Sequence, residues 1–474
     1  MRQSQILIDT LAYFQTFEQE LLLFVAFWLA IGALDEFVVD ICWIGLRATG
    51  RARDGKISRT EATAPLSGRA AIFIAAWSEA EVIGYTIRHA LANWRHRDFT
   101  LYLGCYCNDP ATIAAAVEAA QGDPRIRIVV GAEEGPTTKA GCLNRIYAAL
   151  CADEQRYGWR YRSIVLHDAE DMVHPAELAV IDRALCGMDF VQLPVRPELQ
   201  PASPWIAAHY ADEFAEAHGK TMVVRDALGA AMPAAGVGCG FSRDMIARIA
   251  RRRGEEFGPF AAECLTEDYE LGLLVRREGG KSGFVRVRDE AGELVATRAY
   301  FPARLADAVR QKSRWIHGIS FQSWDRLGWG KGLADQWMAL RDRRSPLTAL
   351  VLACGYLLLI LQAVLQLAAR QGLVEQAAMS PWLGALLSIC LVSFVWRSVF
   401  RFAFTLREYG LIEGLGAIPR VIAANAIAIL AARRALMSYL TALGGAAVQW
   451  EKTRHVGHPA IPASSLSGAR LAAS

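Results

Sequence analysis

Apolar runs near both ends of the chain, each long enough to cross a lipid bilayer, constrain this sequence more than any other feature. Residues 21–34 (LLLFVAFWLAIGAL) are apolar without a break, and Phe37–Leu46 continues the run past Asp35, Glu36 and Asp40. A hydrocarbon core of ~30 Å takes about 20 helical residues, so the stretch reads as a first span. Its acids must face protein or lie near a surface, because a lone charge in lipid is costly. No basic region directly precedes the run and no small-residue cleavage site is evident, which argues for an uncleaved span over a secretory signal. Leu347–Ala369 and Trp382–Phe404 read as a second and a third span. Basic residues flank them: Arg47, Arg51, Arg53, Lys56 and Arg59 after the first, Arg341, Arg343 and Arg344 before the second, and Arg397, Arg401 and Arg407 at the end of the third. The connection at 370–381 carries only Arg370 and Glu375. By the positive-inside bias that connection is external and the long central segment is cytoplasmic. Val421–Ala432, interrupted by Arg433 and Arg434 before the run resumes at Ala435, reads as an interfacial or re-entrant helix in preference to a fourth span. The tail from about 459 is small-residue and is expected to be disordered.

At 474 residues the chain is too long for one ordinary domain. Its 53% hydrophobic and 21% charged residues exclude intrinsic disorder and a small disulfide scaffold. The balance of 51 Lys+Arg against 48 Asp+Glu gives a net charge of +3, so no nucleic-acid partner is expected. Ten cysteines include no CxxC pair, which suits reduced, mostly buried thiols better than a zinc site.

Between the spans, short β-branched runs alternate with amphipathic stretches. Ala70–Trp77, Phe99–Tyr106, Ile126–Gly131, Ser163–His167 and Phe190–Val195 read as strands. Ser78-x-x-Glu81 reads as a capping box opening a helix to about Asn93. Further helices are expected from Asp109-Pro110, over Thr137–Tyr157 and from Pro175. This alternation predicts a parallel-rich α/β sheet with its ligand site at the carboxyl ends of the strands. Trp77-Ser78-Glu79, Asn108-Asp109 and Asp168-Ala169-Glu170-Asp171 follow strands directly and are candidates on that rule.

In Asp168-x-Glu170, acids at i and i+2 where a buried strand ends can hold one hard divalent cation against a substrate diphosphate. The structural alternative is a helix N-terminus with acids set against its dipole. In Thr266-Glu267-Asp268-Tyr269-Glu270, a carboxylate can take a proton from an attacking hydroxyl; alternatively Thr266 is simply a helix cap. Gln311-Lys312-Ser313-Arg314-Trp315 lies in a segment from Pro302 to Trp329 with five basic residues and three tryptophans. There Arg314 can contact a diphosphate and Trp315 can stack on a ring, or the segment is a membrane-surface amphipathic helix.

Taken in order, these motifs, with Lys139 and Gly238-Cys239-Gly240-Phe241-Ser242 between them, resemble processive family 2 glycosyltransferases. Those are membrane enzymes with a GT-A-type nucleotide-sugar domain. The resemblance covers about 70–455. Asn108-Asp109-Pro110, Gly135-Pro136-Thr137-Thr138-Lys139, Leu166–Asp171, Gln192-Leu193-Pro194 and Trp450-Glu451-Lys452-Thr453-x-His455 resemble the phage-adsorption protein B group within that family. The resemblance implies an α/β GT-A-type cytoplasmic domain (65–300) with transmembrane and interfacial helices. Around it would lie a first span and linker (1–64), interfacial helices (301–345), C-terminal helices (346–455) and a tail (456–474).

The same resemblance implies that Asp109 and the backbone around Ala76 and Glu79 hold a uridine, with Lys139 by the uracil or diphosphate. Asp168 and Glu170, helped by Asp171, would bind Mg2+ or Mn2+. Asp268 would be the general base, with Glu267 beside it. Gln311, Arg314 and Trp315 would bind the diphosphate and the acceptor end, and Gly240 would line the acceptor site. Glu170 stands where the family usually has Asp, and Asn108-Asp109 replaces a longer run of acids. Implied partners are a UDP-sugar donor, a glycan acceptor, the lipid bilayer and an outer-membrane export or phage-receptor component. Larger members of the group carry a C-terminal domain associated with cyclic-di-GMP control, so such control is expected either to need another polypeptide or not to occur here. A non-processive lipid glycosyltransferase, a catalytically inactive scaffold or receptor subunit, and a transporter are the other readings.

Overall fold

The computed structural model describes residues 2–254, 256–373, 379–444 and 457–460. The Trp450–His455 motif and residues 461–474 lie outside them. The chain between the spans builds a seven-stranded sheet. Its strands are Ala70–Ala75 (β1), Phe99–Tyr106 (β2), Ile126–Gly131 (β3), Ser163–His167 (β4), Phe190–Gln192 (β5), Cys239–Ser242 (β6) and Ser282–Phe284 (β7). Their order is β3-β2-β1-β4-β6-β5-β7. β6 alone runs antiparallel to its neighbours β4 and β5. β1 and β4 are central, buried and covered on both faces, which is why Ala70–Ala75 and the Ile164-Val165-Leu166 centre of β4 read as unbroken hydrophobic runs.

One apolar cluster packs Ile83, Ile87, Ala116, Leu178 and Ile181 under Ile72, Leu101 and Val165. A second packs Leu143, Ile146, Ile246, Ile249 and Leu271 over Phe73, Tyr102 and Leu166. Chain order reverses between β1 and β4, which opens a crevice at their carboxyl ends. The capping box expected at Ser78 is absent. Ser78 has φ +55°, and the helix opens later, at Ile83, with no side-chain cap. The reason is a contact from across the sheet: the Ser78 N–H donates to Asp109 Oδ2 at 2.6 Å.

Four helices are long and apolar enough to cross a bilayer: Tyr13–Ala48, Ser345–Arg370, Pro381–Tyr409 and Leu411–Leu443. The first belongs to a helix of 47 residues, about 70 Å long, more than twice a hydrocarbon core. Its surplus length carries the three acids into protein. Asp35 and Glu36 pair with Arg341 and Arg344. Asp40 pairs with buried Lys220 at 2.6 Å and accepts from Trp396 Nε1 at 2.8 Å. Lys220 lies in a π-helical turn, Ala217–Thr221, between helices Ala208–Glu216 and Met222–Ala227. This chain segment joins the sheet domain to the spans, a role that nothing in its sequence pattern announced.

Leu411–Leu443 is one continuous helix; Arg433 and Arg434 do not interrupt it. Its contacts run along the sheet-bearing unit. Arg420 holds buried Asp212 at 2.7 Å, Ile427 packs with Tyr210 and Ala308, and Tyr439 donates to Asp325 at 2.8 Å.

Candidate active site

The crevice is built first from backbone. Asp109, buried at the end of β2, uses Oδ2 on Ser78 and Oδ1 on the Thr112 N–H, so it fixes the Trp77–Glu79 turn and caps the following helix. Thr112 Oγ1 takes the Glu79 N–H at 2.9 Å. Asn108 grips Gly135 twice, accepting its N–H and donating to its C=O, each at 2.8 Å. That seats Gly135 on the Trp77 and Tyr106 rings, where a Cβ would come within 2.7 Å of either. Trp77 and Tyr106 meet edge to face, with centroids 5.2 Å apart. Thr138 then caps the helix Lys139–Tyr157, placing Lys139 in its first turn.

At the end of β4, Asp168 pairs with Lys139 and its side chain is 34% exposed. Behind it stands a buried triad. His167 lies between Asp171 (2.9 Å to Nδ1) and Glu177 (2.7 Å to Nε2). Burial alone would lower the His167 pKa, but the two carboxylates raise it to about 10. The Asp171 Oδ2 atom that meets His167 also accepts the Asp168 N–H at 2.9 Å. Asp171 therefore braces the loop from inside, and its side chain is 2% exposed.

Glu267 and Asp268 open the helix Glu267–Arg277. Thr266 stands at the cap position, but its hydroxyl makes no cap bond. Gly318, in a second π-helical turn (His317–Gln322), sits against Thr266, with no room for a Cβ. Gln322 accepts the Leu265 N–H at 3.1 Å, so the Gln311–Trp315 helix and this acidic turn are locked together. Gly236, at φ +77°, lies against the Asp268 carboxylate, and a Cβ there would strike Oδ2.

Electrostatics join these pieces. Burial would lower the Lys139 pKa, but Asp168, Glu267 and Asp268 together hold its ammonium well above the ordinary range. Burial and Asp268 push Glu267 up to about 7, against the pull of Lys139 and Arg314. Burial also raises Asp268; Lys139 and Arg314 oppose that, and Asp168 adds to it. Three carboxylates around one ammonium leave a surplus of negative charge, a donor set that suits a hard divalent cation. On the helix Leu305–Ile316, Arg314 Nε and Gln311 Oε1 are buried without a hydrogen-bond partner among the described residues.

The structure thus brings Lys139, Asp168, Glu267, Asp268 and Arg314 together at the carboxyl end of the sheet. Glu170 follows on the same loop as Asp168, half-buried. Four of the expected positions have scaffold contacts. Ala76 is buried, its N–H bonded to Gly104 C=O at 2.9 Å. Asp109 and Asp171 shape turns, as described. Gly240 lies inside the sheet between β4 and β5, where a Cβ would strike Ile181. Trp315 packs edge-on to Tyr210. Gln322 and Gly236 act on the site through long-range contacts, and no local motif marks them, whereas His167 stands inside the Leu166–Asp171 motif and braces that loop through Asp171 and Glu177. Among the described residues, the group of metal-capable side chains with ligand atoms within 4.8 Å is His174, Asp289 and Glu293. His174 Nδ1 accepts the Ala176 N–H, so Nε2 carries the proton that faces Asp289 at 3.5 Å.

The model of the family described as Glycosyltransferase like family 2 matches residues 68–318. The chain belongs to this family. Its mixed sheet flanked by helices, with long apolar helices beside it, is the α/β GT-A-type architecture implied by the sequence. Bacteriophage adsorption protein B of Escherichia coli (strain K12) is 33% identical over 453 residues, 90% of this chain and 60% of the relative. The figures are the same for Bacteriophage N4 adsorption protein B of Escherichia coli O157:H7. The chain therefore spans about 60% of the length of the curated relatives it matches. Among solved structures, mannosyltransferase PcManGT from Pyrobaculum calidifontis, in complex with GDP-Man and Mn2+, overlaps at TM-score 0.48 and 15% identity, over 83% of this chain and 97% of its own. Glucosyl-3-phosphoglycerate synthase from Mycobacterium tuberculosis overlaps at TM-score 0.33 and 14% identity, over 55% of this chain and 81% of its own.

Proposed function

We propose that this family 2 glycosyltransferase is an inner-membrane, inverting enzyme that transfers a sugar from a UDP-linked donor to a growing glycan at the cytoplasmic face. The observation that carries this reading is the convergence of Asp168, Lys139, Glu267, Asp268 and Arg314 in one crevice. Asp168 and Glu170 are the residues that would hold Mg2+ or Mn2+, which when bound supplies positive charge to a donor diphosphate. The Trp77 and Tyr106 rings, with the Gly135 backbone laid on them, form the wall against which a nucleoside base packs. Lys139 and Arg314 face the diphosphate.

Asp268 receives the proton of the acceptor hydroxyl as its oxygen bonds to the anomeric carbon. The bond from that carbon to the diphosphate oxygen breaks, and its electron pair leaves with UDP. One displacement inverts the anomeric centre. Arg314, already desolvated and short of a partner at Nε, stabilises the charge that gathers on the leaving group. Export of the product beside the spans, and a link to an outer-membrane or phage-receptor component, extend the proposal from the relatives named above.

UDP release by detergent-purified protein against a panel of UDP-sugars, with and without Mn2+, tests the reading. One donor is expected to give metal-dependent release. Asp268→Asn should lower that rate by about 10²–10⁴-fold, the usual contribution of a general base, while Mn2+-dependent UDP binding persists. Absence of UDP binding by calorimetry would overturn the proposal in favour of a scaffold.

A further inference from the structure

Gly457–Ala460, which come after the fourth long helix, are seated against the sheet domain. His458 is 0% exposed, and its ring stacks on Tyr85 with centroids 5.9 Å apart and 21° between planes. Nδ1 accepts the Ala460 N–H at 3.1 Å, so the ring hydrogen sits on Nε2. Nε2 donates to Thr86 Oγ1 at 3.2 Å. The Thr86 hydroxyl in turn donates to the Ala169 C=O at 2.5 Å. His458 is also hydrogen-bonded to the Asp171 backbone. One turn along the Ile83–Asn93 helix, His89 Nε2 meets the Val173 C=O at 3.0 Å. Ala169 is the residue between Asp168 and Glu170, and the peptide planes on either side of it set the direction of both carboxylates.

We propose that His458 is a positioning residue for the Asp168–Glu170 loop: the segment after the fourth helix reaches back and, through Thr86, holds the Ala169 carbonyl that aims the metal-binding acids. The physical case is the hydrogen-bond chain itself. With His458 removed, the Thr86 oxygen loses its donor and the Asp171 backbone a partner, in a place closed to water. The loop then samples orientations in which Asp168 and Glu170 no longer converge. A tail that merely anchored the chain would leave metal affinity unchanged.

The inference rests on reading Asp168 and Glu170 as the metal pair, and the test separates the two. Full-length protein in nanodiscs is titrated with Mn2+ in the presence of UDP. Mn2+ binding lost in Asp168→Asn checks the metal reading; wild type that binds no Mn2+ overturns that reading and this inference together. His458→Ala and Thr86→Val should each weaken Mn2+ binding about tenfold, as outer partners of metal ligands do. The double variant should be no weaker than the weaker single, because both act through one chain. Thr86→Ser, which keeps the hydroxyl, should bind Mn2+ as wild type does, and UDP affinity without metal should be unchanged throughout. Should His458→Ala fail to fold, the comparison of Thr86→Val with Thr86→Ser carries the same test. Wild-type Mn2+ affinity in His458→Ala, or losses that multiply in the double variant, would sink the proposal.

Discussion

At Glu267, burial and the adjacent Asp268 act in the same direction, and the carboxyl releases its proton only near pH 7. A carboxyl raised above its unfolded value contributes stability that is complete below the ordinary range and is lost as pH rises through the folded value. The metal-free protein should therefore melt at a lower temperature at pH 8 than at pH 6. His167, raised to about 10, contributes in the same sense across that interval. Glu267→Gln isolates the first contribution: its melting temperature should fall less between the two pH values, with the His167 share left behind. Differential scanning fluorimetry in detergent measures this, and equal falls in the two proteins would show that Glu267 is ionised throughout. The surplus of carboxylate at this point suits a site that stabilises added positive charge, because burial raises Glu267 and Asp268 against the pull of Lys139 and Arg314.

At the scale of elements, the sheet domain is joined to the spans by a set of buried ion clusters. Asp54, in the linker after the first helix, accepts from Arg286 at 3.0 Å and Arg288 at 2.8 Å; Glu408, at the end of the third long helix, accepts from the same pair at 3.0 and 2.6 Å. The Asp54, Glu408 and Arg286 side chains are each 7% exposed or less. Removing one member strands the others away from water, so Glu408→Gln should lower stability by about 3 kcal/mol, as broken buried pairs do. A denaturant titration in micelles would register this as a lower midpoint at unchanged slope; an unmoved midpoint would mean that the cluster is hydrated. Sequence pattern could not foresee these clusters, because their members lie more than a hundred residues apart. It did foresee the strands, since β1, β2 and β4 bury runs that leave a clear apolar signature and the half-exposed edge strand β3 still carries Ile126, Ile128, Val129 and Val130. It also singled out Asp168, Glu267, Asp268 and Arg314, which the fold brings together, from acids after a strand and a basic, aromatic helix before a span. It misread Ser78-x-x-Glu81, whose letters fit a cap while Asp109, across the sheet, takes the backbone N–H. Gly240 misled for a similar reason: its need for no side chain comes from Ile181, not from an acceptor.

For the whole molecule, the decisive contact is the one made by the residues beyond the fourth long helix. The chain leaves the third long helix at Tyr409, turns at Gly410 and enters Leu411–Leu443. A helix of that length and composition can cross a bilayer, which would put the residues beyond it on the opposite side from the sheet domain. His458, however, is packed against Tyr85 and bonded to Thr86 within that domain. Arg420 and Tyr439, about 28 Å apart along the helix, both hold side chains of the sheet-bearing unit. A helix tied at both points to one body lies along that body, its exposed Ile412, Leu415, Ile422, Met437 and Leu440 free to enter the lipid surface. On the surface-lying arrangement we propose for Leu411–Leu443, three crossings leave the first helix's N-terminus and Gly372 on one side, with the sheet domain and residues 457–460 on the other. Impermeant thiol labelling of sealed vesicles checks this, using single cysteines at Gly372 and Ala460 in a chain whose native cysteines other than exposed Cys107 are replaced. Ala460→Cys should label together with Cys107 and opposite to Gly372→Cys; labelling with Gly372→Cys instead would make Leu411–Leu443 a fourth crossing and would detach the tail from the site it is proposed to brace.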